Sequence, residues 1–299
     1  MENATLPDTA RAWSLRLPRG RSLLLGGGRP RVMGVLNLTP DSFSDGGLWN
    51  DPAQAVERGL ALLAEGAGLH DLGAESTRPG GGVYGEGART VPPGEEADRL
   101  LPVLEALRGA TDAPISVDTR KGEVARQALA AGADLINDVS ALADPVLGRA
   151  AAEAGCPLVL MHSRGELGTM QKDIRFHDLL GEVLRELSEA VDRAVAAGID
   201  PSQLVLDPGI GFGKTAEQNL ALLARLDELA PLGRPLLVGA SRKSFISKAM
   251  PPDRRLGGSL AAVAWAAAQG AAIVRVHDVA ETVQFLDVWH AIAGQKGNA

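Results

Sequence analysis

The sequence predicts an α/β fold: a single (β/α)8, or TIM, barrel with an N-terminal β-hairpin. Three observations predict it. Eight short aliphatic runs are each followed by a longer Ala/Leu/Glu/Arg-rich segment, the pattern of a parallel sheet covered by helices. The chain has 299 residues, and a barrel of eight such units routinely takes roughly 250. No Pro/Ser/Gly-rich linker divides it into two domains. In order, the strands are expected at 31–37, 69–73, 115–118, 134–137, 157–161, 204–207, 235–239 and 273–276. The helices are expected at 52–65, 95–108, 121–131, 145–154, 177–197, 217–230, 259–269 and 279–293. Ahead of them, 14–17 and 22–25 flank Pro18-Arg19-Gly20 and read as a hairpin that plugs the N-terminal end of the barrel. Residues 1–12 are expected to form a flexible N-terminus and 13–295 the barrel domain.

Composition excludes several classes of function. Hydrophobic residues make up 45% and charged residues 22%, which argues for a packed core rather than a disordered chain. Thirty basic residues against thirty-seven acidic ones leave a net charge of −7. There is no basic surplus to attract nucleic acid and no Lys/Arg-rich run to attract a membrane surface. No apolar run reaches the roughly 18 residues that span a bilayer. The single cysteine, Cys156, can form neither an internal disulfide nor a cysteine zinc cluster, and reads as a buried apolar group. The polar first eleven residues lack the pattern of a signal peptide, so a cytoplasmic location is expected.

Polar residues collect where the predicted strands end. Asn37, Asp118, Asn137 and Asp207 close strands, Asp71 lies within one, and Met161-His162 closes another. Ser241-Arg242-Lys243-Ser244 follows the seventh strand, and Arg275 and His277 close the eighth. In a barrel all these ends converge on one face, where active sites sit. Each alone could cap a helix, but carboxylates, amides and cations arriving together indicate a site.

Two motifs need weighing. Asp207-Pro-Gly-Ile-Gly-Phe-Gly-Lys214-Thr215 nearly matches a nucleotide phosphate loop, but Pro208 stands at its first glycine position and lacks an N–H. The glycines are read instead as letting backbone pass close to a planar ligand beside Phe212. Ser241–Ser244 reads as a helix start whose free N–H groups, with Lys243 and Arg242, could hold a carboxylate or phosphate, Arg242 being the more readily a solvated basic residue. Asp278 is expected to cap the last helix, and His70 should face the helical layer without a functional role. Two long segments, around 37–45 and 75–94, exceed a minimal βα turn and suggest a site that is covered when occupied.

Met33–Gly47, Glu75–Gly80, Ile115–Thr119, Ile136–Asp138, Leu160–His162, Leu206–Lys214, Ser241–Ser244 and Arg275–Asp278 together resemble dihydropteroate synthase, in order along nearly the whole chain from Arg31. The resemblance implies a transferase, usually homodimeric and Mg²⁺-requiring. It joins 6-hydroxymethyl-7,8-dihydropterin pyrophosphate to 4-aminobenzoate, a step of folate synthesis, and its partners are these small-molecule substrates. Carried over residue by residue, it implies that Asp118, Asn137 and Asp207 hydrogen-bond the pterin and that Lys243 reaches its carbonyl and ring nitrogen. Met161 and Phe212 would line the pocket, with Arg275 over the ring. Thr77, Arg78, Arg275 and His277 would meet pyrophosphate, and Asn37 would be the metal ligand. Ser244, Phe43 and Pro79 would hold 4-aminobenzoate, where sulfonamides are expected to compete.

The implied catalytic groups are Arg275, His277, Lys243 and Asp118. None of them needs to be a covalent nucleophile. The arylamine is already nucleophilic, and the hard step is C–O cleavage, which favours an SN1-like substitution. The stretch at 81–94, with Tyr84, is longer than the family pattern leads one to expect. Two rivals share parts of the pattern: a pterin-dependent methyltransferase barrel, which lacks the Thr77–Gly80 and Ser241–Ser244 motifs, and a non-catalytic pterin-binding paralogue. The presence of Asn37, Thr77, Arg78, Lys243 and Arg275 weighs against the second.

Overall fold

The hairpin leads the chain. Strands β1 (Ala12–Arg16) and β2 (Ser22–Gly26) pair antiparallel, with Ala12 opposite Gly26 and Arg16 opposite Ser22. Alternation buries Leu15, Leu17, Leu23 and Leu25 on one face and leaves Leu24 on the other. The buried face packs on Met33, Leu69, Leu135, Val159, Val205, Leu237 and Ile273, which line the lower end of the barrel. The hairpin is therefore the plug that the sequence predicts. Polar contacts fix it in place: Gln203 exchanges hydrogen bonds with the Arg16 backbone at 2.7 and 3.1 Å. The fully buried Asp134 carboxylate accepts from Arg19 and Arg108, each at 2.6 Å, from Arg21, and from the Ile115 N–H.

This computed structural model describes residues 11–38, 52–75, 90–165, 174–247 and 249–295. Eight parallel strands follow the hairpin: β3 (Arg31–Asn37), β4 (Leu69–Gly73), β5 (Ile115–Asp118), β6 (Leu135–Asp138), β7 (Leu158–Met161), β8 (Leu204–Asp207), β9 (Leu237–Val238) and β10 (Ile273–Val276). They pair in the order β9-β10-β3-β4-β5-β6-β7-β8. A single bridge between Leu206 and Leu236 closes the ring, supported by Leu206 N–H donating to Pro235 O at 3.0 Å. Helices α1 (Pro52–Ala64), α2 (Pro93–Ala110), α3 (Gly122–Ala131), α4 (Pro145–Ala154), α5 (Leu179–Ala196), α6 (Ala216–Ala224), α7 (Leu256–Ala268) and α8 (Val279–Gln295) form the outer layer. Leu36, Leu72, Val117, Ile136, Leu160, Leu206 and Val274 carry the core between sheet and helices. No helix among the described residues is long and apolar enough to cross a membrane.

Besides shifts of one to three residues at element ends, three elements differ from the sequence expectation. The seventh barrel strand shrinks from five residues to Leu237–Val238, because Leu236 pairs across the closing seam instead. The helix expected at 217–230 stops at Ala224 and passes into a 3-10 segment, Leu226–Leu232, that contains Pro231. Proline lacks an N–H and disfavours helical geometry in the residue before it, so an α-helix cannot run smoothly through that point. His177 precedes α5 rather than lying in it; Asp178 caps that helix by accepting from Gly181 N–H.

The lumen changes character along its length. Inward-facing positions are apolar at the hairpin end, as at Met33, Leu69, Leu135 and Ile273. Two residues further along the strands they become Asp71, Asn137 and Arg275. The polar end is opposite the plug.

Candidate active site

Arg275 organises one half of the polar end. Its Nε donates to Asp71 Oδ2 at 2.5 Å and its Nη2 to Asp118 Oδ2 at 3.0 Å. Asn137 Nδ2 donates to the same Asp71 oxygen at 3.1 Å. These residues come from β10, β4, β5 and β6 and meet only because the strands close into a ring. Register places Asp118 directly beside Asn137. Asp118 Oδ1 and Asn137 Oδ1 are both buried without a hydrogen-bond partner. Two orphaned acceptors side by side are costly unless a ligand supplies donors. Burial pushes the Asp118 carboxyl up to about 8, against the pull of Arg275.

The other half is the segment after β8. Asp207 Oδ1 accepts the Gly209 N–H at 2.7 Å. Burial raises the Asp207 carboxyl, while Lys243, the Gly209 N–H, Lys214 and Arg275 pull it down. Lys243 Nζ donates to Ile210 O and lies 4.5 Å from the Phe212 ring centroid. Its own pKa is lowered to about 8 by burial, with Asp207 opposing. Phe212 packs with Met161 and Val139 in a small apolar cluster. The halves adjoin at Gly239, where a Cβ would lie 3.8 Å from Lys243 Nζ and 3.9 Å from Arg275 Cβ.

The glycines of this segment serve the protein's own chain. Gly209 has φ +69°, and a Cβ there would sit 1.8 Å from His162 O. Gly211 has φ +88°, and a Cβ would meet Lys243 Cδ at 2.8 Å. Their close approaches are thus to His162 and Lys243. Lys214 is not a phosphate-binding lysine either. Its buried ammonium donates to His162 Nδ1 at 2.8 Å, Gly209 O at 3.0 Å and Phe212 O at 3.1 Å, which uses all three N–H groups. Burial lowers it to about 7. His162, whose Nδ1 accepts, presents Nε2 to Glu186 at 3.0 Å, and burial brings its pKa down to about 4. His162 and Lys214 are structural members of the site that sequence reasoning left without a role.

The Ser241–Ser244 segment differs from the expectation. Residues 244–246 form a turn, and α7 starts only at Leu256, so Ser244 is not at a helix start. Ser241 Oγ meets His277 Nδ1 at 3.1 Å and accepts the His277 N–H at 3.2 Å, fixing His277 at the mouth. Arg242, at φ +59°, turns away and pairs with Asp278. Asp278 stands immediately before α8, where the sequence expects its cap, and its carbonyl accepts from Thr282 N–H and Oγ1. Asn37 ends β3 and is half-buried. Phe43, Thr77, Arg78, Pro79 and Tyr84 lie outside the described residues. His70 is fully buried with both ring nitrogens unpartnered, and burial lowers its pKa to about 4.

The family described as "Pterin binding enzyme" matches residues 33–277. A dihydropteroate synthase of Synechocystis is 48% identical over 280 residues, covering 92% of this chain and 94% of the relative. The chain belongs to the dihydropteroate synthase family of pterin-binding enzymes. The Yersinia pestis dihydropteroate synthase, solved with a sulfonamide drug, superposes with a TM-score of 0.85 at 46% identity, over 93% of this chain and 98% of that one. The Xanthomonas albilineans dihydropteroate synthase, solved with 4-aminobenzoic acid, gives 0.85 at 47% identity, over 95% and 99%. The barrel is therefore the fold of the family's solved members, and the chain is a transferase.

Proposed function

We propose that the barrel mouth binds 6-hydroxymethyl-7,8-dihydropterin pyrophosphate and substitutes 4-aminobenzoate for its pyrophosphate, by an SN1-like path. The observation that carries this is the row of acceptors, Asp118 Oδ1, Asn137 Oδ1 and the Asp207 carboxylate, beside two half-buried cations, Lys243 and Arg275. A pterin offers adjacent N–H donors along its pyrimidine edge and acceptors at its carbonyl and ring nitrogen, which this arrangement complements. Electron release from the reduced ring stabilises the developing cation at the methylene. Arg275 and His277 meet the charge that gathers on departing pyrophosphate. Ser244, with Phe43 and Pro79, receives the aminobenzoate. Measuring pyrophosphate release with and without 4-aminobenzoate tests the reading: release should need both substrates. No release, or transfer of a methyl group instead, would overturn it.

Among the described residues no group of three His, Cys, Asp or Glu could hold a metal ion. The neutral Asn37 amide oxygen suits a hard cation that brings most of its ligands as water and phosphate oxygens. Mg²⁺ fits that donor set: Asn37 would hold it, and when bound it would offset pyrophosphate charge. Its other ligands then arrive with the substrate. Phe43 and Pro79 belong to two segments that pyrophosphate would bridge through Asn37, Thr77 and Arg78. Calorimetry should therefore show 4-aminobenzoate binding only after pyrophosphate and Mg²⁺ are present. Equal affinity for the free enzyme would show that its pocket exists beforehand.

The active form is a homodimer on this reading. The neighbouring helices α7 and α8 expose Trp265 at 50%, Val288 at 58% and Ile292 at 62%, large apolar side chains that a second copy would cover. Sedimentation should show a dimer that Trp265→Glu shifts toward monomer. A monomeric unmodified protein would rule the dimer out.

A further inference from the structure

We infer that Asp71 is a positioning residue that sets the hydrogen-bond polarity of the pterin pocket. The inference rests on the pterin reading above and deepens it. Asp71 is fully buried, and strand register sets it two residues below the level of Asp118. One of its oxygens, Oδ2, accepts from both Arg275 Nε and Asn137 Nδ2. A carboxylate beside a guanidinium only accepts, so Asn137 must turn its NH₂ end toward Asp71. The two ends of an amide lie on opposite sides, so the Asn137 oxygen faces away from Asp71. That oxygen, like the Oδ1 of Asp71 itself, is buried without a partner.

The same device acts on the neighbouring strand. Arg275, held at Nε by Asp71, reaches Asp118 Oδ2 with Nη2, and Asp118 Oδ1 is left without a partner. A single carboxylate therefore orients one amide directly and one carboxylate through Arg275. Both free oxygens become acceptors for a ligand edge made of donors. Without Asp71, Asn137 could rotate its amide by half a turn and present a donor instead. Asp71 thus acts on which ligand is accepted, not only on how well the barrel holds together.

The test compares two ligands that differ at one group. 6-Hydroxymethylpterin carries a 2-amino donor; 6-hydroxymethyllumazine carries an oxygen acceptor there. Their affinities are measured by calorimetry for the unmodified protein, Asp71→Ala and Asp71→Asn. The unmodified protein should prefer the pterin. In Asp71→Ala the preference should fall about 10-fold or more, because the amide can rotate to meet either ligand. In Asp71→Asn an amide oxygen still accepts from Asn137, so the preference should persist while affinity for both ligands drops. Equal loss of both ligands in Asp71→Ala, with the preference intact, would reduce Asp71 to a packing residue and overturn the inference.

A second measurement needs no variant. In protein labelled with ¹⁵N at asparagine, the Asn137 NH₂ protons should exchange slowly without ligand and stay slow when 6-hydroxymethylpterin is added. Protons that exchange freely until the pterin binds would show that the nitrogen, not the oxygen, faces the ligand. If the unmodified protein fails to bind the pterin at all, the functional reading fails instead.

Discussion

Asp207→Asn is expected to weaken binding of the pterin pyrophosphate about 100-fold or more, with little change in the thermal midpoint of the free protein. The reason lies in one backbone contact. Asp207 Oδ1 accepts the Gly209 N–H at 2.7 Å. In the variant the amide oxygen must stay there, since an amide nitrogen against an N–H would leave two donors facing each other. The new NH₂ is then placed where the second carboxylate oxygen would accept from the pterin edge. A donor replaces an acceptor in a buried site, and a lost charged hydrogen bond plus an unpaired donor is worth about 3 kcal/mol. The fold should tolerate the change because burial already disfavours the ionised carboxylate. Lys243 would lose the partner that raises its pKa, so it should titrate lower in the variant. Calorimetric titration decides: affinity within threefold of the unmodified protein would remove Asp207 from the pterin site.

Arg275→Met should cost both stability and activity. It removes the cation from between Asp71 and Asp118 while roughly keeping side-chain volume. Breaking a buried ion pair by deleting one partner typically costs about 3–5 kcal/mol, because the other charge is left uncompensated. The deficit should depend on pH in a definite direction. Burial holds the Asp118 carboxyl at about 8, and Arg275 is the strongest force pulling it down. Without Arg275 it rises further. A carboxyl with a raised folded pKa takes up its proton more readily in the folded state. Its contribution is complete below the unfolded pKa and is lost as pH rises through the folded value. The variant should therefore be closest to the unmodified protein in mild acid and furthest from it above about pH 8. Denaturant titrations across this range check the sign. A deficit that grows on acidification would mean that Arg275 is not the counter-ion of these carboxylates.

These two variants separate the roles of the halves. Asp207 is held by its own segment and should affect the ligand alone. Arg275 is held by residues from two other strands and should affect the ligand and the ring together.

Much of this was legible in the residues. Five barrel strands, 31–37, 69–73, 115–118, 204–207 and 273–276, lie where the aliphatic runs place them. The reason is local: a strand buried on both faces needs a continuous apolar run, and no other element of that length does. The plug was legible too, because Leu15, Leu17, Leu23 and Leu25 alternate around Pro18-Arg19-Gly20. The polar strand ends marked the face of the site, since the closed ring brings every such end together. What the residues could not tell was which polar groups bind each other. Asp71 and Arg275 are 204 positions apart and Asp71 and Asn137 are 66 apart. His162 and Lys214 are 52 apart. No periodicity spans such distances; strand register around the closed barrel sets them. Tertiary structure alone assigned Arg242 to Asp278, 36 positions away, and showed a turn rather than a helix start at 244–246. Local residue chemistry thus determined the elements and the face of the site, whereas the pairing within that face arose from ring closure, which sets the spacing of donors and acceptors independently of their distance along the chain.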